Sequence, residues 1–287
     1  MVKGTLIPIG GNEDKGDGLT DEYSLDFVEQ GILSHVVRES GGSDAFIIVI
    51  PTASRIPKEV GANYLDAFGK LGCNNVQVLD IRSKSESEKP EFIEALKKAN
   101  CVMFSGGDQS KIAKKIGGTT FHKILAERYA NDAGFVIAGT SAGAMAMSSE
   151  MIAGGSSTEA FFKDSVSMYH GLGLAPDIIF DTHFIMRGRF GRICEAVAKH
   201  PNLIGVGLAE DTGLVIKNGD DMKVIGSGMV IIFDGRSLVH NNEEILEPGT
   251  PMTLTDLRVH ILSNSDRYSL SNKGVTVLPI DAPFEYD

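Results

Sequence analysis

Residues 136–147 read VIAGTSAGAMAM, an apolar run followed by Gly-Thr-Ser-Ala-Gly and then by small helix-forming residues. The apolar run is typical of a strand buried on both faces, and the residues after Ser141 favour a helix. Glycines two positions before and two positions after Ser141 allow a sharp strand–turn–helix corner, as in the G-x-S-x-G elbow that presents a nucleophilic serine. A plain tight turn has the same glycines, so the rest of the sequence has to decide the role of Ser141.

Other apolar runs of the same character alternate with helical patterns along the first half of the chain. This alternation predicts an α/β fold with an open, mostly parallel sheet sandwiched between helices. After residue 200, short strand-like segments joined by turns such as NGDD (218–221) predict an antiparallel β addition to the same sheet or its edge. No Pro/Ser-rich linker divides the chain, so we expect one domain over residues 1–287. The predicted strands are 5–9, 45–50, 76–81, 101–104 and 135–139, the predicted helices are 22–39, 56–71, 90–99, 109–116 and 120–131, and 82–91 is a predicted surface loop.

Composition narrows the classes of function. The chain has 287 residues and a formal net charge of −11 with no acidic block, which argues against nucleic acid or an anionic membrane as a partner. Three distant cysteines, Cys73, Cys101 and Cys194, suggest neither a disulfide framework nor a zinc site. The apolar stretch in MVKGTLIPIGG is too short for a signal peptide, and no segment approaches the length of a membrane span. We therefore expect a cytoplasmic protein that requires neither a metal nor an organic cofactor.

A second strand end carries SGGDQS (105–110) after the apolar run CVMF. In an open α/β sheet, ligands bind beyond the carboxyl ends of the strands, so this loop and Ser141 belong to one edge. Backbone N–H groups of Gly107 and Asp108, together with that of Ala142 at the start of the helix, are candidate oxyanion donors, and Gln109 is a candidate substrate contact. Asp108 also fits the N-cap of a helix, and the two roles are compatible.

A nucleophilic serine needs a base, and His183 is favoured among the seven histidines. It follows the strand-like stretch ending in Asp181, which places it at another carboxyl strand end. A third residue should orient the imidazole, and Glu159 and Asp181 are the candidates; the residues alone do not choose between them.

Three arginines follow His183 in HFIMRGRFGRICEAV, at positions 187, 189 and 192. A solvated helix face is the ordinary explanation for such a run. Glycines interrupt this one, however, and it directly follows the candidate base. Because guanidinium groups bind carboxylates in a bidentate manner, the cluster favours recognition of a carboxylate-bearing substrate.

Four segments in this order, SGGDQ, GTSAGAMAMS, DTHFxxRGRxGR and AEDTGLVI followed by VIGSG, resemble the cyanophycinase family. These are serine peptidases of family S51 with a flavodoxin-like, class I glutamine-amidotransferase-like α/β fold. The resemblance runs from about residue 5 to residue 280 and implies a serine-type exopeptidase. The family cleaves cyanophycin, a poly-aspartate whose side chains carry arginine through isopeptide links, and releases β-Asp-Arg dipeptides.

The resemblance also implies a role for individual residues. Ser141 is the nucleophile, His183 is the general base, and Glu159 is the orienting acid. The implied substrate contacts are Gln109, Asp181, Thr182, Arg187, Arg189 and Arg192. Thr182 departs from the pattern, because the family commonly has glutamine there, and the shorter side chain removes about one substrate hydrogen bond, worth on the order of 1 kcal/mol. Glu13, Asp14 and Asp211 are further candidates for holding the substrate guanidinium.

Three other functions compete with this one. An aspartyl or isoaspartyl dipeptidase would use the same machinery on a different substrate, and the arginine cluster favours the polymer. An α/β-hydrolase esterase shares the elbow, but the chain has no HGGG-type segment. A non-catalytic binding protein would retain the fold without hydrolysis. The family also implies a homodimer.

Overall fold

The computed structural model describes residues 2–18, 25–155 and 161–278. Within these ranges the largest sheet has nine strands, a second sheet has four, and β6 and β7 form a two-stranded hairpin. The strands are β1 Thr5–Ile9, β2 Ile47–Ile50, β3 Val76–Val78, β4 Cys101–Phe104, β5 Val136–Thr140, β6 Glu150–Gly155, β7 Val166–His170, β8 Ile178–Asp181, β9 Ile204–Leu208, β10 Thr212–Lys217, β11 Asp221–Gly226, β12 Val230–Asp234, β13 Arg258–Leu262, β14 Arg267–Ser269 and β15 Gly274–Thr276.

The helices lie in the connections between these strands. They are α1 Ile32–Glu39, α2 Pro57–Lys70, α3 Lys84–Ser87, α4 Pro90–Lys98, α5 Gln109–Ile116, α6 Thr120–Asn131, α7 Ala142–Met145 and α8 Phe190–Lys199, with a 3₁₀ turn at Glu243–Ile245. Their starts follow from local chemistry: a proline occupies the first turn of α2 and of α4. The side chains of Asp108 and Thr119 cap α5 and α6 by accepting a backbone N–H.

The parallel half of the large sheet has the order β3-β2-β4-β5-β1, as the apolar runs predict. Both faces of β1, β2, β4 and β5 are buried, whereas the edge strand β3 is partly exposed. In β2, Ile47 and Val49 pack with residues of α1 and α2, whereas Ile48 and Ile50 pack on the opposite face with α4, α5 and α6. The prediction of an α/β fold with a helix layer on each face of a mostly parallel sheet is confirmed.

The late strands divide between the two sheets, which corrects the expectation of a single addition. Antiparallel β10, β11, β14 and β15 extend the large sheet beyond β1, and the turn at 218–220 joins the β10–β11 hairpin as predicted. Strands β9, β12 and β13 instead pair with β8 in the second sheet. The parallel pairing of β8 with β9 brings the residues after both strands to one edge. That the chain is one domain stays a prediction.

Three local predictions differ from the structure, and the first is the strand predicted over 76–81, which ends at Val78. The helix predicted over 22–39 begins at Ile32, after turns at 27–30, and part of the predicted range lies outside the described residues. The segment predicted as a surface loop at 82–91 contains the single turn of α3, because Ser83 caps it by accepting the Glu86 N–H. None of the described helices has the length and apolar character that crossing a membrane requires.

Candidate active site

The elbow at Ser141 joins β5 to α7 with a strained backbone. Ser141 has φ +51°, a conformation that costs a non-glycine residue about 1–3 kcal/mol and persists only where the surroundings enforce it. Its N–H donates to the Ile9 carbonyl at the end of β1, at 2.8 Å. A side chain at Gly143 would place its Cβ 2.4 Å from the Phe104 carbonyl oxygen, so the glycine after Ser141 lets α7 pack against β4. The sequence GTSAG is therefore a packed corner at the carboxyl end of β5.

His183 lies beside this serine, although 42 residues separate the two in the chain. Its Nε2 is 3.0 Å from Ser141 Oγ, and the residue is 8% exposed. The His183 N–H donates to the Gly10 carbonyl at 2.9 Å, which fixes the turn after β8 against the end of β1. The structure thus brings together the two residues that the strand ends single out.

A carboxylate that the sequence analysis missed forms a hydrogen-bonded row of three side chains with His183 and Ser141. Glu210 Oε1 lies 2.9 Å from His183 Nδ1, on the side of the ring opposite Ser141. Glu210 follows β9 within GLAEDTG, and β9 pairs with β8, which leads into His183. The available signal was an acidic residue directly after a buried strand, the same signal that selects His183.

The structure bears differently on the two acids considered from sequence. Glu159 lies outside the described residues. Asp181 is fully buried, and it accepts hydrogen bonds from Arg189 at 3.0 Å and Arg192 at 3.2 Å. Its carboxylate therefore neutralises two guanidinium groups and is not the group that faces the imidazole.

The surroundings of His183 keep its imidazole neutral near pH 7. Burial lowers its pKa below the usual 6.5, the hydrogen bond that His183 donates to Glu210 opposes this, and the charge of Arg187 lowers the pKa further. A neutral imidazole is the form that accepts a proton from a serine hydroxyl.

The two glycines after β1 control how close these groups come. A Cβ at Gly10 would lie 1.8 Å from the Ala209 carbonyl oxygen, and one at Gly11 would lie 2.4 Å from His183 Cε1. Gly11 also has φ +107°, a conformation that favours glycine. GGN at 10–12 therefore lets the imidazole and the β9–β10 connection pass directly against the first strand.

The candidate oxyanion donors differ in availability. Within the described ranges, the N–H groups of Gly107 and Ala142 have no hydrogen-bond acceptor. The Asp108 N–H donates to the Ala53 carbonyl at 3.1 Å, and the Asp108 side chain caps α5. The Asp108 N–H is therefore already occupied by a backbone carbonyl, which conflicts with the prediction of Asp108 as an oxyanion donor.

Of the candidate substrate contacts, Arg187 alone lies at the candidate cavity. This cavity of about 460 Å³ is lined by Gly11, Asn12, Glu13, Lys15, Val60, Asn63, Tyr64, Gly106, Gly107, Thr140, Ser141, His183 and Arg187. Thr182 is fully buried, and Gln109 donates its amide to the Ile152 carbonyl at 2.8 Å. Arg189 donates to the Thr182 carbonyl at 2.7 Å, and Arg192 is buried beside Asp181. None of these five residues lines the cavity. Asp181, Thr182, Arg189 and Arg192 support the turn that carries His183, and Gln109 contacts β6.

The acids suggested for binding a substrate guanidinium differ in whether they line the cavity. Glu13 lines the cavity, whereas Asp211 accepts hydrogen bonds from the Asp14 N–H and the Ser227 hydroxyl. Among residues 2–18, 25–155 and 161–278, no group of three or more His, Cys, Asp or Glu side chains could hold a metal ion.

Replacing Gly11 with alanine tests the close approach of the imidazole. In Gly11→Ala the new methyl group has to displace His183, so we expect Ser141 to react about 10- to 100-fold more slowly with diisopropyl fluorophosphate. Mass spectrometry of the phosphorylated protein over time measures this rate.

Gly118→Ala is the matched control, because Gly118 also has a positive φ (+75°) but a Cβ there meets no atom within 4 Å. Both substitutions strain the backbone, and only Gly11→Ala crowds the imidazole. Equal reaction rates in the two variants would contradict this account.

Comparison with known proteins places the chain in a family. A sequence model of peptidase family S51 matches residues 24–225. Cyanophycinase from Trichormus variabilis is 38% identical over 278 residues, covering 97% of this chain and 89% of the relative. Cyanophycinase from Geminocystis herdmanii is 35% identical over 268 residues, covering 93% of this chain and 94% of the relative.

Solved structures share the fold. A crystal structure of a peptidase from an acI-B1 Actinobacterium superposes with a TM-score of 0.64 at 22% identity, covering 94% of this chain and 98% of that one. The matched sequence model and the curated relatives identify the chain as a member of peptidase family S51.

Proposed function

We propose that this peptidase is a serine-type cyanophycinase, with Ser141 as nucleophile, His183 as general base and Glu210 as the orienting carboxylate. The observation that carries the proposal is the unbroken row from Ser141 Oγ to His183 Nε2, at 3.0 Å, and from His183 Nδ1 to Glu210 Oε1, at 2.9 Å. The names of the relatives, cyanophycinases at 34–38% identity, support the substrate. Glu210 replaces Glu159 in this proposal, because Glu210 is the carboxylate in contact with the imidazole.

The chemistry follows from that row. His183 takes the Ser141 proton through Nε2 as Oγ attacks the scissile carbonyl carbon, and Glu210 stabilises the resulting imidazolium through Nδ1. The N–H groups of Gly107 and Ala142 are the proposed donors to the oxyanion. His183 then gives the proton to the leaving amine, which separates and leaves an acyl-enzyme. Water hydrolyses this ester by the same proton route in reverse.

The guanidinium of Arg187 supports a substrate that carries carboxylates. Each dipeptide unit of cyanophycin carries a free arginine carboxylate, and Arg187 lies in the cavity wall, where the charge of Lys15 is paired with Glu13. We propose Arg187 as a substrate contact, because its side chain is exposed at the cavity. Asp181, Thr182, Arg189 and Arg192 then support the His183 turn from behind, and Gln109 supports β6.

The finer expectations drawn from the resemblance belong to the same proposal. We propose a homodimer that acts in the cytoplasm on a polymer made or taken up by the cell.

Incubation with purified cyanophycin tests the proposed function. We expect soluble β-Asp-Arg dipeptide, identified by mass spectrometry, from the parent protein and none above background from Ser141→Ala. Release of free arginine, or hydrolysis of isoaspartyl dipeptides with no action on the polymer, would contradict the assigned substrate. Undiminished activity of Ser141→Ala would contradict the assigned nucleophile.

The pH dependence of kcat/KM tests the role of Glu210. Because burial lowers the His183 pKa, the parent activity should fall only below pH 6.5, as the imidazole gains a proton. Glu210→Gln removes the group that raises this pKa, so the midpoint should move to lower pH. The plateau should fall about 100- to 10,000-fold, because the imidazolium loses its partner.

Glu159→Gln is the control for this measurement. It should leave the midpoint in place and the plateau within about twofold. A large loss in Glu159→Gln with little change in Glu210→Gln would reverse the assignment.

A further inference from the structure

A buried carboxylate in the cavity wall, that of Glu13, contacts three other side chains. Glu13 is 3% exposed. Its Oε1 accepts a hydrogen bond from the Tyr64 hydroxyl at 2.5 Å and from Lys15 Nζ at 2.8 Å, and its Oε2 accepts one from the Thr140 hydroxyl. A carboxylate with this many donors is held in one orientation.

Glu13 remains ionised in this position. Burial by itself raises a carboxyl pKa, but the charge and hydrogen bond of Lys15, with the hydroxyls of Thr140 and Tyr64, lower the Glu13 pKa below its usual value. Burial and the Glu13 charge raise the Tyr64 pKa, so its phenol stays protonated and donates. All hydrogen bonds to the carboxylate are therefore present near neutral pH.

The bond to Thr140 connects this group to the nucleophile. Thr140 is the last residue of β5 and directly precedes Ser141, whose φ of +51° is strained. On one side Thr140 pairs with Ile9 of β1, and its side chain is held by Glu13. A strained residue keeps its conformation only if its neighbours cannot relax, and the hydrogen bond to Glu13 restricts the side chain of the residue before the serine.

We infer that Glu13 is a positioning residue that fixes the nucleophile elbow through the Thr140 hydroxyl, which deepens the proposed function and rests on Ser141 being the nucleophile. Its ionised carboxylate also accepts hydrogen bonds from Lys15 and Tyr64, which form the adjoining wall of the cavity. One buried group thereby fixes both the orientation of Ser141 and the shape of the wall beside it.

A purely structural role for Glu13 predicts different behaviour. If the carboxylate only joins the loop at 11–17 to β5 and α2, its loss should lower thermal stability and leave the reactivity of Ser141 in the folded protein unchanged. If it positions the elbow, the reactivity falls at temperatures where the variant is fully folded.

The test compares variants at Thr140 and Glu13 by the rate at which diisopropyl fluorophosphate modifies Ser141. Thr140→Val keeps the side-chain shape and removes the hydroxyl, whereas Thr140→Ser keeps the hydroxyl. We expect Thr140→Val and Glu13→Gln to react about 10- to 100-fold more slowly, and Thr140→Ser to recover most of the rate. In steady-state assays on cyanophycin, the kcat of Thr140→Val should fall while its KM stays within about threefold.

Thr119→Val is the matched control, because Thr119 is also buried and donates its hydroxyl to the Ile116 carbonyl at 2.6 Å, at the start of α6. This variant should melt at a lower temperature with the parent reaction rate. A parent reaction rate in Thr140→Val would overturn the inference. So would a slowing of Thr140→Ser or Thr119→Val as large as that of Thr140→Val. Failure of the parent to hydrolyse cyanophycin would contradict the proposed substrate and leave the comparison of reaction rates intact.

Discussion

Three successive carbonyl groups at the end of the first strand hold the site together. Those of Ile9, Gly10 and Gly11 accept the N–H groups of Ser141, His183 and Asp211, at 2.8, 2.9 and 2.9 Å. These donors come from three connections that are distant in the chain: β5 to α7, β8 to α8, and β9 to β10. The backbone of β1 thus sets the spacing between serine and imidazole and places Glu210, the neighbour of Asp211, behind the ring.

Backbone strain is concentrated in the connections that meet at the end of β1. Asn12, Ser141, His183 and Asp211 all have positive φ, which costs a non-glycine residue about 1–3 kcal/mol. The rest of the fold offsets that cost, because β1, β2, β4 and β5 are buried on both faces by two separate clusters of apolar side chains. A rigid sheet is therefore what allows several strained residues to keep a fixed geometry at its edge. The buried Asp181 with its two arginines adds the same kind of support behind His183.

Sequence patterns predicted the parallel strands of the large sheet, and they singled out Ser141 and His183 but not Glu210. Strands buried on both faces leave continuous apolar runs, and strand ends with glycine or polar residues point to Ser141 and His183. Glu210 also follows a buried strand, but its position beside His183 depends on β9 pairing with β8 in a second sheet, and no local pattern records that pairing. The arginines at 189 and 192 look like solvent-facing charges in sequence, and their burial follows from the position of Asp181. Arg187 differs from them because its side chain stays exposed at the cavity.

A crystal structure of the unmodified protein that resolves the groups around His183 would measure the proposed contacts of the imidazole directly. We expect Ser141 Oγ at about 3 Å from Nε2 and a Glu210 carboxylate oxygen at about 3 Å from Nδ1, with the Gly10 carbonyl accepting the His183 N–H. An imidazole turned away from Ser141, or a carboxylate of Glu159 at Nδ1 in place of Glu210, would contradict this expectation.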